Sequence, residues 1–152
     1  MTLAHHILVP TDFSDATAPA LDAAAILARD QGARVTVMHV FDPSSLALGH
    51  VGLIPSARTT PTEAEVESAI RDALDEILER HFAAGVEVEA KLLHGAQPAD
   101  AIVEEAERSG IDLIVMGTEG RSTLGKQVIG SVTERVVRHA GCMTLVVPSP
   151  PA

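Results

Sequence analysis

The 152-residue chain carries 21 acidic against 11 basic residues, a formal net charge of −10, and is 46% hydrophobic with no Trp, no Tyr and three Phe. That balance excludes a broad nucleic-acid or anionic-membrane surface, since either needs a basic face to meet phosphates. It predicts one domain with an aliphatic core, burying roughly 70% of the surface that the unfolded chain exposes.

The single cysteine, Cys142, excludes an internal disulfide framework and, in its apolar context, reads as core. No apolar run approaches the ~20 residues of a membrane span, and the start MTLAHHILVPTD lacks the pattern of a signal peptide. The expected compartment is the cytoplasm. Seven histidines show no ligand spacing beyond the adjacent pair His5 and His6, so no protein-bound metal is expected.

In chain order, Ile7 to Pro10 reads as a first buried strand that delivers Thr11 and Asp12 at its C-terminal end. Ser14 is the expected N-cap of a helix through Ala28 whose Leu21, Ala25, Leu27 and Ala28 face packs on a sheet. Pro19 predicts a kink or a later effective start, and Gly32 the stop. Val35 to Val40 is the second strand. From Asp42 to about Pro61 no element is expected, and roughly twenty such residues in a compact domain read as a flexible loop that is a lid, a binding loop or a disordered segment.

Thr62 and Glu65 form a capping box for a helix in which Val66, Ile70, Leu74, Ile77 and Leu78 recur at helical spacing to about Ala84, with Gly85 as its end. Val86 to Leu92 alternates apolar and charged residues, the pattern of a strand near a sheet edge. Gln97 and Pro98 start a helix through Ala106, closed by Gly110. Ile111 to Met116 is again a buried strand, and Gly117, Gly120, Gly125 and Gly130 punctuate the loop that follows. Ser131 with Glu134 reads as a second capping box, opening a helix to about His139; Gly141 ends it, and Met143 to Val147 is the last strand. The alternation β-α-β-α-β-α-β-α-β predicts a mostly parallel α/β sheet with right-handed crossovers and helices on both faces. The runs Ile7 to Asp12 and Leu113 to Thr118 echo each other. As neighbours at a topological switch point, they would open both turns onto one ligand crevice.

The stretch from Ile111 to Pro148 is the candidate site. Glycines that let the backbone approach a ligand, followed by a helix start with unpaired N–H groups, make an anion site suited to phosphate. Gly120-x4-Gly125-Lys126 imitates the start of a P-loop, but Gln127 stands where Ser or Thr would hold Mg2+, so Lys126 reads as a solvated loop residue. Asp12 has a rival use as a helix cap, and so does Ser131.

With Gly117-x2-Gly120-x9-Gly130-Ser131 after a buried strand, and Pro10-Thr11-Asp12-Phe13-Ser14 after the first strand, the chain resembles the universal stress protein family over essentially its whole length, and within it the ATP-binding branch. The resemblance implies a single-domain, Rossmann-like α/β fold with an open parallel five-stranded sheet of order 3-2-1-4-5. It also implies a homodimer joined through the last strand, Met143 to Val147.

For the site, it implies ATP, ADP or AMP, with Mg2+ or Mn2+ carried on the phosphates. Pro10, Thr11 and Asp12 would lie beside ribose and adenine, and the backbone of Val40 at the adenine edge. Met116 and Gly117 would line the ribose. Gly120, Gly130, Ser131 and Val132 would hold the triphosphate, with Arg121, Ser122 and Lys126 as further phosphate contacts. The implied function is a stress-response nucleotide-binding module with little or no hydrolysis. The alternative is a slow ATP hydrolase or nucleotide-dependent transferase of the same fold. Beyond Asp12 the strand ends offer no second acid to serve as base at a γ-phosphate.

Overall fold

Short aliphatic runs build five parallel strands, and the segments between them return as helices on both faces of the sheet. The structure, a computed structural model, describes residues 2–45, 61–118 and 129–150. The strands are β1 (His6–Pro10), β2 (Arg34–Phe41), β3 (Val88–His94), β4 (Leu113–Gly117) and β5 (Met143–Val147). They pair in the order β3-β2-β1-β4-β5, every pair parallel. The helices are α1 (Ala18–Gln31), α2 (Glu63–His81), α3 (Pro98–Arg108) and α4 (Ser131–His139).

The two-residue period of the strands splits the core in two. Ile7, Val9, Val35, Val37 and Val115 face α1 and α2, where Ala20, Leu21, Ala24, Val66, Ile70 and Leu74 are buried against them. Leu8, Met38, Ile114 and Met116 face the other way, onto Ala99, Ile102 and Ala106 of α3 and Val136 of α4. Alanine at the contact positions of α1 and α3 lets those helices lie close to the sheet. Cys142 packs against the second cluster, and burial pushes its thiol up, as expected of a core residue.

Several element ends differ from the sequence reading. Ser14 does not cap a helix: Asp15–Thr17 form one 3-10 turn and α1 starts at Ala18, with Pro19 in its first turn, which is the later start that Pro19 predicts. Gly32, at φ 68, ends α1 as expected. Thr62 Oγ1 accepts the Glu65 N–H at 3.2 Å, so that cap forms. However, α2 stops at His81, because Phe82 leaves the helix in an extended conformation and is 8% exposed against the core. β3 therefore begins at Val88. At α4, Gly130 is the N-cap and Ser131 the first helical residue, so the box expected of Ser131 and Glu134 is not built; Glu134 pairs with Arg138 instead. Helix α4 is capped at its end by extended Ala140, and Gly141 is not left-handed. Of the predicted loop from Asp42 to Pro61, residues 46–60 lie outside the described residues.

Glu105 anchors α3 from below. Its side chain is 1% exposed and accepts hydrogen bonds from Lys91 Nζ at 2.5 Å, Ser109 Oγ at 2.5 Å and Arg108. Burial alone would push this carboxyl up, but those donors outweigh it and hold it at about 2.

Candidate functional site at the switch point

The crevice follows from strand registry. Thr11 donates its N–H to the Met38 carbonyl on β2 at 2.8 Å, so the alternate residues His6, Leu8 and Pro10 present their backbone to β4. Consistent with this, the Asp112 N–H reaches the His6 carbonyl at 3.1 Å. Pro10 has no N–H to continue that ladder. Pairing of β1 with β4 accordingly ends at Leu8↔Ile114, while pairing with β2 runs on to Pro10↔Met38. The two central strands part at their C-terminal ends, where a doubly wound sheet holds its ligand.

The same arithmetic exposes the backbone of Val40. Met38 turns its carbonyl to β1 and Phe41 turns its carbonyl to Gly95 beyond β3, at 3.0 Å. Val40, two residues past Met38, therefore presents N–H and C=O to the β1 side beyond the last β1–β2 pair. A flat heterocycle with one donor and one acceptor on its edge fits such a pair.

The turn after β1 consumes its own polar groups. Asp12 Oδ1 accepts the Ser14 N–H at 3.0 Å, the Ser14 hydroxyl at 2.5 Å and the Thr17 hydroxyl at 3.2 Å, so the carboxylate builds the turn. Phe13 is at φ 65, the one positive-φ residue other than glycine among the described residues. Such a conformation costs about 1–3 kcal/mol in a bulky residue and persists only where its surroundings hold it. Here the Phe13 N–H donates to Thr11 Oγ1 at 3.0 Å, and its ring packs on His39 at 4.6 Å between centroids. His39 in turn donates Nδ1–H to the Thr11 carbonyl at 2.8 Å.

The start of α4 is arranged differently. Thr133, 4% exposed, donates its hydroxyl to the Gly117 carbonyl at 2.8 Å, and the Gly130 N–H donates to the Thr118 carbonyl at 2.6 Å. These two bonds fix the helix start to the end of β4. The first intrahelical bond there is Glu134 N–H to the Gly130 carbonyl at 2.9 Å. The N–H groups of Ser131, Val132 and Thr133 thus precede the helix ladder, and Gly130 brings no side chain to cap them. Gly130 has φ −65, so a side chain there is opposed by the space it would take from a ligand and not by its backbone angle.

Together these features line one cleft of about 190 Å3. It collects Pro10, Thr11 and Asp12 from β1 and its turn, Val40 from β2, Met116 and Gly117 from β4, and Gly130, Ser131 and Val132 from α4. Every described residue of the predicted site is there; Gly120, Arg121, Ser122 and Lys126 lie outside the described residues. The sequence reading missed Met38 and His39 of β2, Pro98 and Ile102 of α3, Thr17, and Thr133. Only Pro98 carried a local signal, as the first residue of a helix opening at the same sheet end. Thr17 and Thr133 act through partners 5 and 16 residues away.

A five-stranded parallel sheet of order 3-2-1-4-5 with a lined crevice at its switch point defines a small doubly wound α/β domain. The chain belongs to the universal stress protein family, whose model matches residues 4–148. It is 35% identical over 144 residues to universal stress protein MJ0531 of Methanocaldococcus jannaschii, covering 95% of this chain and 82% of that one. Among solved structures, MJ0577 of the same organism is similar at TM-score 0.77 with 26% identity, covering 99% of this chain and 100% of the other. A universal stress protein in complex with cAMP is similar at TM-score 0.71 with 29% identity, covering 96% and 98%. The universal stress protein of Archaeoglobus fulgidus in complex with dAMP is similar at 0.62 with 25% identity, covering 95% and 98%. Among the described residues no helix is long and apolar enough to cross a membrane.

Proposed function

We propose that the switch-point cleft binds an adenine nucleotide, ATP or its shorter phosphates, and that occupancy sets the shape or partners of a homodimer with little or no hydrolysis. The observation that carries this reading is the start of α4, which has no side-chain cap among the described residues and is held at the end of β4 beside the parted strands. Three helix-start N–H groups and the helix dipole favour a phosphate there. The backbone of Val40 and the apolar side chains of Met38, Pro98 and Ile102 suit a nucleobase. The glycine spacing Gly117-x2-Gly120-x9-Gly130-Ser131 supports the ATP-binding branch, and the cAMP and dAMP complexes of two relatives support the adenine nucleotide class.

A divalent ion fits this site only as a companion of the phosphates. The one carboxylate on the described lining, that of Asp12, already accepts three hydrogen bonds. The described lining therefore offers no ligand cage, and Mg2+ or Mn2+ would keep most of its waters. The same shortage argues against catalysis, since the one carboxylate on the described lining is engaged in building its own turn. Turnover below about 0.01 per second is expected, against the ~10 per second typical of enzymes. The dimer would form through β5, an edge strand whose Met143 and Leu145 are 47% and 39% exposed, alongside Val137 of α4 at 49%. The test is mass spectrometry of ligand released from freshly purified protein, with a melting curve at increasing ATP. A retained adenine nucleotide and a melting temperature that climbs with concentration are expected. Turnover near 1 per second would favour the hydrolase or transferase instead.

A further inference from the structure

At the same end of the sheet, but on the α2 side of β3, two glutamates and a histidine converge outside the cleft. Glu63 and Glu67 lie one helical turn apart on α2, and His94 is the last residue of β3. One ligand atom from each lies within 4.8 Å of the others. We propose that Glu63, Glu67 and His94 form a site for a divalent transition metal, Zn2+ by donor preference, that ties the start of α2 to the end of β3.

Three observations carry this. The donors are mixed, one imidazole nitrogen with two carboxylates, a set that zinc accepts at about 2.0–2.2 Å and that Mg2+ and Ca2+, which favour oxygen, do not. Ligand atoms around a tetrahedral ion at that radius lie about 3.3–3.6 Å apart, so the exposed Glu63 side chain must turn to bring its oxygen inward by on the order of 1 Å. Second, the imidazole is aimed. Its Nε2 is 2.6 Å from Glu67 Oε1, and its ring stands edge-on to Phe41, centroids 5.7 Å apart, a residue with no solvent exposure. Third, the charge is unbalanced. Glu63 and Glu67 at i and i+4 repel each other, and among the described residues the His94 ring meets Glu67 and no cation meets Glu63. A dication answers both, taking the place of the proton between Nε2 and Oε1, so that loading releases a proton when that proton is present.

The location gives the site a use. Phe41 and His94 are register partners, and Val40, which precedes Phe41, lines the cleft. A metal holding α2 to His94 would steady the strand end that presents the Val40 backbone. The site stands apart from the proposed nucleotide, so its test uses none. Calorimetric titration of Zn2+ into the full chain should show one ion per chain, removed by EDTA. His94→Ala and the pair Glu63→Gln with Glu67→Gln should each weaken binding at least ~10-fold. All three side chains are at least partly exposed, so the variants should keep the parental circular dichroism spectrum. Cobalt in place of zinc should give visible d–d absorption in the parent, lost in His94→Ala. No zinc binding by the parent, equal binding by parent and His94→Ala, or binding lost only with His5→Ala would each overturn the site and leave Glu67 and His94 as a hydrogen-bonded pair.

Discussion

Both the turn after β1 and the start of α4 line the crevice, one built from side chains that bond to their own backbone, the other from a helix end without a side-chain cap. In the first, a single oxygen of Asp12 gathers three donors, and Thr11 holds both Phe13 and His39. In the second, Thr133 and Gly130 bond backward to the end of β4, so the helix start is positioned while its leading N–H groups point onward. The difference teaches a division of labour. The first turn satisfies its own polar groups, and the second is the place where, in the proposed function, an anion would complete the hydrogen bonding.

Substitutions and pH break this comparison in graded ways. The largest effect is expected at Glu105, the most fully self-satisfied charge, which holds α3 and with it the Pro98 and Ile102 wall. Its folded value of about 2 lies below the ordinary 4.5, so its contribution is fully present above pH 4.5 and is lost as pH falls through 2. Up to about 3 kcal/mol should disappear over that window, and Glu105→Gln should flatten this part of the pH dependence of urea unfolding. Next is Asp12→Ala, which strands two hydroxyls and an amide and should cost about 2 kcal/mol in the same assay. If Asp12 served the ligand alone, the midpoint would not move.

Thr133→Val keeps the shape of a buried residue and removes only the bond to the Gly117 carbonyl. A loss of about 1 kcal/mol is expected, together with weaker nucleotide binding as α4 loosens from β4. The smallest effect is expected for Ser131→Ala. As first helical residue and not N-cap, Ser131 should change stability by under about 0.5 kcal/mol, where loss of a true N-cap costs about 1 kcal/mol. A full N-cap penalty would mean that the serine caps α4 after all.

Much of this was legible in the sequence, for identifiable reasons. Buried parallel strands are continuous aliphatic runs, so Ile7 to Pro10 and Leu113 to Gly117 declared themselves, and Gly32 marked the left-handed stop of α1. The strand order came with the family resemblance that the glycine spacing carries. What local pattern did not carry was competition and distance. Ser131 with Glu134 is a valid box, yet Gly130 took the cap because Thr133 and the Gly130 N–H tie the chain one residue earlier. The helical repeat of α2 continues on paper past His81, yet burying Phe82 ends it. His39 read as one histidine among seven until registry placed it beside Thr11 and Phe13. Glu63, Glu67 and His94 meet only because α2 packs on β3.

The central claim is that the glycine-capped start of α4 receives the phosphates of an adenine nucleotide. Calorimetric titration of ATP with Mg2+ into the parent and into Gly130→Val tests it most directly. Gly130 needs no unusual backbone angle, so the valine variant should fold as the parent does, at a cost of about 1 kcal/mol for a poorer N-cap residue, while its side chain occupies the space beside the first N–H groups. The account predicts saturable binding of one ATP per chain by the parent and at least tenfold weaker binding by the variant, a loss of about 1.4 kcal/mol. Equal affinities, or a parent that binds no adenine nucleotide, would contradict it.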